Sequence, residues 1–138
     1  MNWFNPKSTT VFVNGTFDII HSGHLALLNF AKSQGDMLTV AIDTDRRVKE
    51  LKGQDRPVNN QDERQELLSN LKAVDRVVLF DSTQELLDLV QQHDIIVKGD
   101  DYKDRDIPEL SVNPTIVWFE RIENLSTTGK IEKIRNEQ

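Results

Sequence analysis

At 138 residues the chain has the length of one domain and can bury a core without staples. It holds no cysteine, which excludes disulfides and thiolate metal sites, and no apolar run approaches the roughly 20 residues that span a bilayer. A net charge of −6 argues against a general nucleic-acid binder but leaves nucleotides open, since a phosphate tail needs only a few local donors.

Thr10-Val11-Phe12-Val13 is a largely β-branched run that ends at Asn14-Gly15 and reads as a buried strand. Residues 23–33 repeat Leu25, Leu28 and Ala31 at helical spacing, with Gly35 placed as a left-handed stop. Residues 37–42 read as a second strand, and residues 54–60 as a polar loop. Asn60 and Glu63 have capping-box spacing ahead of a helix carrying Leu67, Leu68 and Leu71. Residues 76–80 form a third strand, and Ser82 and Glu85 repeat the capping signal before Leu86, Leu89 and Val90. Residues 95–97 and 115–119 supply two more strands around the polar stretch 100–114, and Ser126 caps a final short helix. The order is β-α-β-α-β-α-β-β-α, with strands too uniformly apolar for a one-sided sheet. It predicts an α/β fold, a parallel sheet covered by helices on both faces. A soluble, cytoplasmic chain is expected, with neither nucleic acid nor membrane as partner.

Ligands of such sheets sit beyond the carboxyl ends of the strands. There the first strand runs through Asn14-Gly15-Thr16-Phe17-Asp18-Ile19-Ile20 into His21-Ser22-Gly23-His24. Residues i and i+3 share a helix face, so both imidazoles can address one atom. The helix start adds free N–H groups and a positive dipole end, and Gly23 lets a phosphate approach the backbone. Other phosphate loops fail: no G-x-G-x-x-G follows the first strand, and Gly129-Lys130 lacks the flanking residues of a Walker loop. A zinc site would need a third ligand, and the remaining histidine, His93, falls in another predicted helix. Taken alone, the histidine pair suits a structural role as well as a ligand; the turn around it favours the ligand.

Gly15-Thr16-Phe17-Asp18 leading to His21-Ser22-Gly23-His24 resembles the G-x-F-D…H-x-G-H signature of the cytidylyltransferase-like nucleotidyltransferases. Arg121-Ile122-Glu123-Asn124-Leu125-Ser126-Thr127-Thr128 is similar to that family's R-x-x-G-[IVC]-S-T-T element. Leu51-Lys52-Gly53-Gln54-Asp55-Arg56-Pro57-Val58-Asn59, Val74-Asp75 and Val97-Lys98-Gly99-Asp100-Asp101-Tyr102 resemble segments of heptose-1-phosphate adenylyltransferase domains. The resemblance implies a single Rossmann-like nucleotidyltransferase domain over residues 1–138, with a core of about 11–134. It also implies attack of an acceptor phosphate on the α-phosphorus of a nucleoside triphosphate, with pyrophosphate leaving in line. Positioning and charge stabilisation then carry most of the catalysis.

By the same resemblance, His21 and His24 donate to the α-phosphate and Lys52 joins them as a catalytic residue. Thr16, Phe17, Gly23, Arg121, Ser126, Thr127 and Thr128 bind the nucleotide, the last three at its β- and γ-phosphates. Asp18, Arg64, Gly99 and Asp100 are candidate contacts to substrate or base. Mg2+ accompanies the triphosphate with no dedicated protein ligands, and the chain is expected as a homodimer. Plainer readings stand beside these. Lys49 is close enough to replace Lys52, Arg64 could pair with Asp62 or Glu66, and Asp100-Asp101 could be a polar turn. Asn124 replaces the usual glycine of the second motif, and Gly129 a better helix former. The segment 52–59 looks like the heptose-1-phosphate adenylyltransferases, whereas Arg121 and Gly99-Asp100-Asp101 look like the glycerol-phosphate cytidylyltransferases. Adenylyl transfer to a sugar phosphate is the leading reading, cytidylyl transfer to a polyol phosphate the alternative. A catalytically silent nucleotide-binding module is the rival of another class.

Overall fold

The computed structural model describes residues 8–120. Over that span the chain forms strands β1 (Thr10–Gly15), β2 (Met37–Asp43), β3 (Arg76–Phe80), β4 (Ile95–Gly99) and β5 (Ile116–Phe119). Between them run helices α1 (Ser22–Ser33), α2 (Asp45–Lys52), α3 (Gln61–Ser69) and α4 (Thr83–Gln91), and two 3-10 turns, Asp100–Tyr102 and Pro108–Val112. The strands make one five-stranded sheet in the order β3-β2-β1-β4-β5, with every pairing parallel. This is a Rossmann-like α/β fold, as the apolar strands predict.

Alternation along the strands separates two cores. Val11, Val13, Leu38, Val40, Ile42 and Val97 point to one face, where Leu28 and Ala31 of α1 and Leu68 of α3 cover them. Phe12, Ala41 and Ile96 point to the other, under Leu86 and Val90 of α4. Both faces are therefore covered. Among the described residues no helix is long and apolar enough to cross a membrane.

Three local expectations need correction. Helix α2 lies in a stretch with no predicted element. Its sequence, Asp45-Arg46-Arg47-Val48-Lys49-Glu50-Leu51-Lys52, buries Val48 alone and so carries no apolar period. It is held by its ends instead: the Thr44 hydroxyl accepts from the Arg47 N–H, and Gly53, at φ +109°, closes it. Gly35 is not a left-handed stop; α1 ends at Gln34 in right-handed geometry. Glycine is needed at 35 for space, because a Cβ there would lie 2.7 Å from Val11 Cγ2 and 2.8 Å from the Thr9 carbonyl oxygen. The caps at Asn60 and Ser82 form, accepting from the N–H groups of Glu63 and Glu85, but the Glu85 carboxylate reaches back to the Asp81 N–H at 2.6 Å rather than to the cap's own.

Candidate active site

The site is built on the turn between β1 and α1. Gly15 ends β1, and a Cβ on it would lie 2.9 Å from Phe17 Cε2, so the Phe17 ring folds back over the strand end only because residue 15 is glycine. Phe17 itself holds a left-handed backbone at φ +51°, a conformation uncommon for a bulky side chain and kept here by burial of its ring. That ring lies 5.1 Å from the His24 ring.

His21 caps α1. Its Nδ1 accepts from the Gly23 N–H at 3.1 Å, and His24 Nδ1 accepts from the His21 N–H at 3.2 Å, a reciprocal capping box made by the two imidazoles. An Nδ1 that accepts carries no proton, so each neutral ring bears its hydrogen on Nε2. The rings stack with centroids 3.9 Å apart and planes 29° apart. Two Nε2–H donors are thereby set side by side at a helix N-terminus. The first turn of α1 holds no acidic residue, unlike those of α2, α3 and α4, so its positive dipole end is not neutralised locally. Such an arrangement can hold a phosphate oxygen and stabilise charge growing on it.

The side chains of Asp18 and Arg64, candidate contacts to substrate or base, are both fully buried and bonded within the protein. The Asp18 carboxylate accepts from the Val58 and Asn59 N–H groups, each at 2.8 Å, and from Arg56 Nε at 3.3 Å. Arg64 donates through Nε to the Asn59 carbonyl, through Nη1 to the Thr16 carbonyl and through Nη2 to Asp45 Oδ1, at 2.8–3.0 Å. Its partner is thus Asp45, not the surface carboxylates of Asp62 or Glu66. Together the two residues bind the β1–α1 turn, the 53–59 loop and the start of α2 into one unit. Through these contacts they hold the turn that carries the histidine pair. Arg56 and Asn59 complete this unit and were not singled out from sequence, although Arg56 is the one cation in that polar loop.

Lys52 stands exposed at the last position of α2, while Lys49 is tied down by donating to the Arg56 carbonyl at 3.2 Å. Asp43 ends β2 nearby. Burial pushes its carboxyl pKa up, against the opposing pull of the Arg47 guanidinium, which bonds it at 3.0 Å, and of the Lys52 charge. Gly99 closes β4 opposite Phe119, and Asp100 opens the 3-10 turn that follows. Thr16 and Gly23 lie in the turn and first helical turn, where their backbone groups already serve Arg64 and His21. Arg121, Ser126, Thr127 and Thr128 fall outside the described residues.

A further ion pair is buried on both sides. Lys98, inside β4, and Glu109, in the second 3-10 turn, are both buried and meet at 2.7 Å. A lysine directly after Ile95-Ile96-Val97 was the available signal.

The chain matches the family described as Cytidylyltransferase-like over residues 12–134. The bifunctional protein HldE of a Nitratiruptor species is 44% identical over 128 residues, covering 91% of this chain and 28% of that protein. Its counterpart from Aliarcobacter butzleri is 39% identical over 136 residues, covering 97% of this chain and 28% of that one. The chain therefore spans little more than a quarter of these curated relatives. Among solved structures, the lipopolysaccharide core biosynthesis protein of Thermoplasma volcanium aligns with a TM-score of 0.68 at 28% identity, over 84% of this chain and 99% of that one. The histidine pair at the head of α1, the parallel sheet behind it and a family match across both sequence motifs lead to one conclusion: the chain belongs to the cytidylyltransferase-like family of nucleotidyltransferases.

Proposed function

We propose that the chain transfers an adenylyl group from ATP to a sugar 1-phosphate of the heptose type. An oxygen of the acceptor phosphate attacks the α-phosphorus and forms the new P–O bond. The α–β bridging bond breaks, and pyrophosphate leaves with its electron pair. The observation that carries this reading is the doubled cap at α1, which commits both Nδ1 atoms to the backbone and so puts each ring's proton on Nε2, the donor that serves the α-phosphate. These donors matter most in the transition state, where charge on the α-phosphate oxygens is greatest. Thr16 and Phe17 hold phosphate at the turn, Lys52 and Arg121 neutralise tail or acceptor, and Ser126, Thr127 and Thr128 take the β- and γ-phosphates. Gly99 and Asp100, at the end of β4, face the base.

Among the described residues no cluster of three or more His, Cys, Asp or Glu could hold a metal by itself. Mg2+ would arrive on the triphosphate and would offset the charge of its β- and γ-phosphates. This domain, with a core of about residues 11–134, works in the cytoplasm as part of a homodimer. Likeness to bifunctional HldE proteins, and to a lipopolysaccharide core biosynthesis protein, supports the sugar-phosphate acceptor.

The test is pyrophosphate release from ATP and from CTP, each offered a panel of sugar and polyol phosphates. Release that needs ATP and a sugar 1-phosphate is expected. Release from CTP with a polyol phosphate would assign the cytidylyltransferase reading, which Gly99-Asp100-Asp101 and Arg121 favour. Nucleotide binding with no release under any pairing would make the chain a binding module.

A further inference from the structure

The Lys98–Glu109 pair lies where the strand order reverses. From β1 the chain winds outward through β2 to β3, then returns to the other side of β1 with β4 and β5. The carboxyl ends of β1 and β4 therefore flank the switch point, the position at which such sheets form their ligand crevice. Asn14 stands at one lip and Lys98 at the other, with Lys98 Nζ 3.5 Å from Asn14 Oδ1. Asn14 leads into the turn that carries His21 and His24; Lys98 leads into Gly99-Asp100-Asp101. The ammonium also sits 4.6 Å from the centre of the Tyr102 ring, which the Arg105 guanidinium approaches at 5.2 Å.

Lys98 is 7% exposed and Glu109 2%. Taking two charges out of water costs about as much as their attraction returns, and apolar side chains of similar volume are often as good for stability. What the pair supplies is position. It fastens the far end of residues 99–109 to the strand from which that segment departs, at 2.7 Å, and Tyr102 is packed against the same ammonium in between.

We propose that Lys98 and Glu109 are positioning residues for the nucleotide, holding residues 99–109 against the crevice so that this segment receives the nucleoside half of the triphosphate. The inference rests on the function proposed above. With the α-phosphate held at the head of α1, directly after β1, the nucleoside lies toward the neighbouring strand across the crevice, β4. The acceptor is left the β2 side, where Asp43, Arg47 and Lys52 stand.

The test replaces both charges together, Lys98→Met with Glu109→Met, so that neither is left buried alone. The thermal midpoint should stay at or above that of the unaltered chain. Calorimetric Kd and steady-state KM for the nucleotide should rise about tenfold or more, while kcat and the acceptor KM stay within about threefold, because loss of orientation falls on the ligand that the segment orients. A folded double variant with unaltered nucleotide affinity overturns the inference. Should the double variant fail to fold, Glu109→Gln, which keeps an oxygen acceptor for Lys98, replaces it. Its nucleotide Kd should rise about threefold or more, and an unchanged value overturns the inference equally. Failure of the unaltered chain to bind ATP or CTP is a separate result, and it removes the functional reading on which the inference stands.

Discussion

His21 has two tasks that its two ring nitrogens keep apart. Nδ1 caps α1, and Nε2–H is the donor proposed for the α-phosphate. Asparagine is also a strong N-cap but presents nothing at the reach of Nε2. His21→Asn should therefore keep stability within about 0.5 kcal/mol of the unaltered chain, whereas His21→Ala should lose about 1 kcal/mol with the cap. Turnover should fall at least about a hundredfold in both, since each lacks the donor. Urea unfolding and steady-state kinetics on the same preparations check this, and near-normal turnover in folded His21→Asn would defeat the assignment. The i, i+3 spacing makes the pairing of His21 with His24 legible in the sequence. Their tautomers are not, because they depend on which backbone N–H each Nδ1 meets. Asp18 and Arg64 show the same limit. Sequence gives their charge, but burial turns them inward to loop backbone and Asp45. Arg64 is four residues before the buried Leu68, so its place on the inward face of α3 was open to reading.

Elements announced by apolar period were readable; those made by their ends were not. The strands of residues 10–15, 37–43, 76–80 and 95–99 stand where β-branched runs place them, while α2, charged on almost every residue, depends on Thr44 and Gly53. At the end of α4, His93 Nδ1 donates to the Leu89 carbonyl at 2.7 Å, and its ring packs 5.0 Å from that of Phe12. Burial lowers its pKa below the ordinary 6.5, only partly opposed by that hydrogen bond. A depressed imidazole pKa adds stability that is full above about pH 6.5 and is lost as pH falls toward the folded-state value, because the unfolded chain takes up the proton first. Asp43 acts in the opposite sense at lower pH. Burial raises its pKa, so the cost of its charge is felt above the carboxylate range and lifts below it. Between about pH 7.5 and 5.5, His93 should dominate the difference between variants. The urea midpoint of the unaltered chain should fall across that window, and His93→Gln, which can still donate to Leu89, should fall less. Parallel curves would show that His93 is not the source.

At the scale of the whole molecule, the parallel sheet brings the carboxyl ends of all five strands to one edge, so segments far apart in sequence can share one ligand. The fold class and the first motif were legible because each is local: apolar strands, a glycine turn, two histidines one helical turn apart. The loop network behind the turn was not, because it joins residues 16, 18, 45, 56, 59 and 64 through contacts with no sequence period. The second motif, Ser126-Thr127-Thr128, can be tested as a tail site against a plain helix cap. If the element only stabilises a helix, Thr127→Val should shift stability slightly and leave nucleotide binding alone. If it holds the β- and γ-phosphates, the change removes a hydroxyl donor from a charged acceptor, a bond worth about 1.5–3 kcal/mol. Triphosphate affinity should then fall roughly tenfold or more, while the nucleoside monophosphate, which lacks those phosphates, binds nearly as before. Calorimetric titration of both ligands on both proteins separates the cases. Equal losses for the two ligands would move the site elsewhere, because a monophosphate has no β- or γ-phosphate through which to feel the change. The expected loss is confined to the triphosphate.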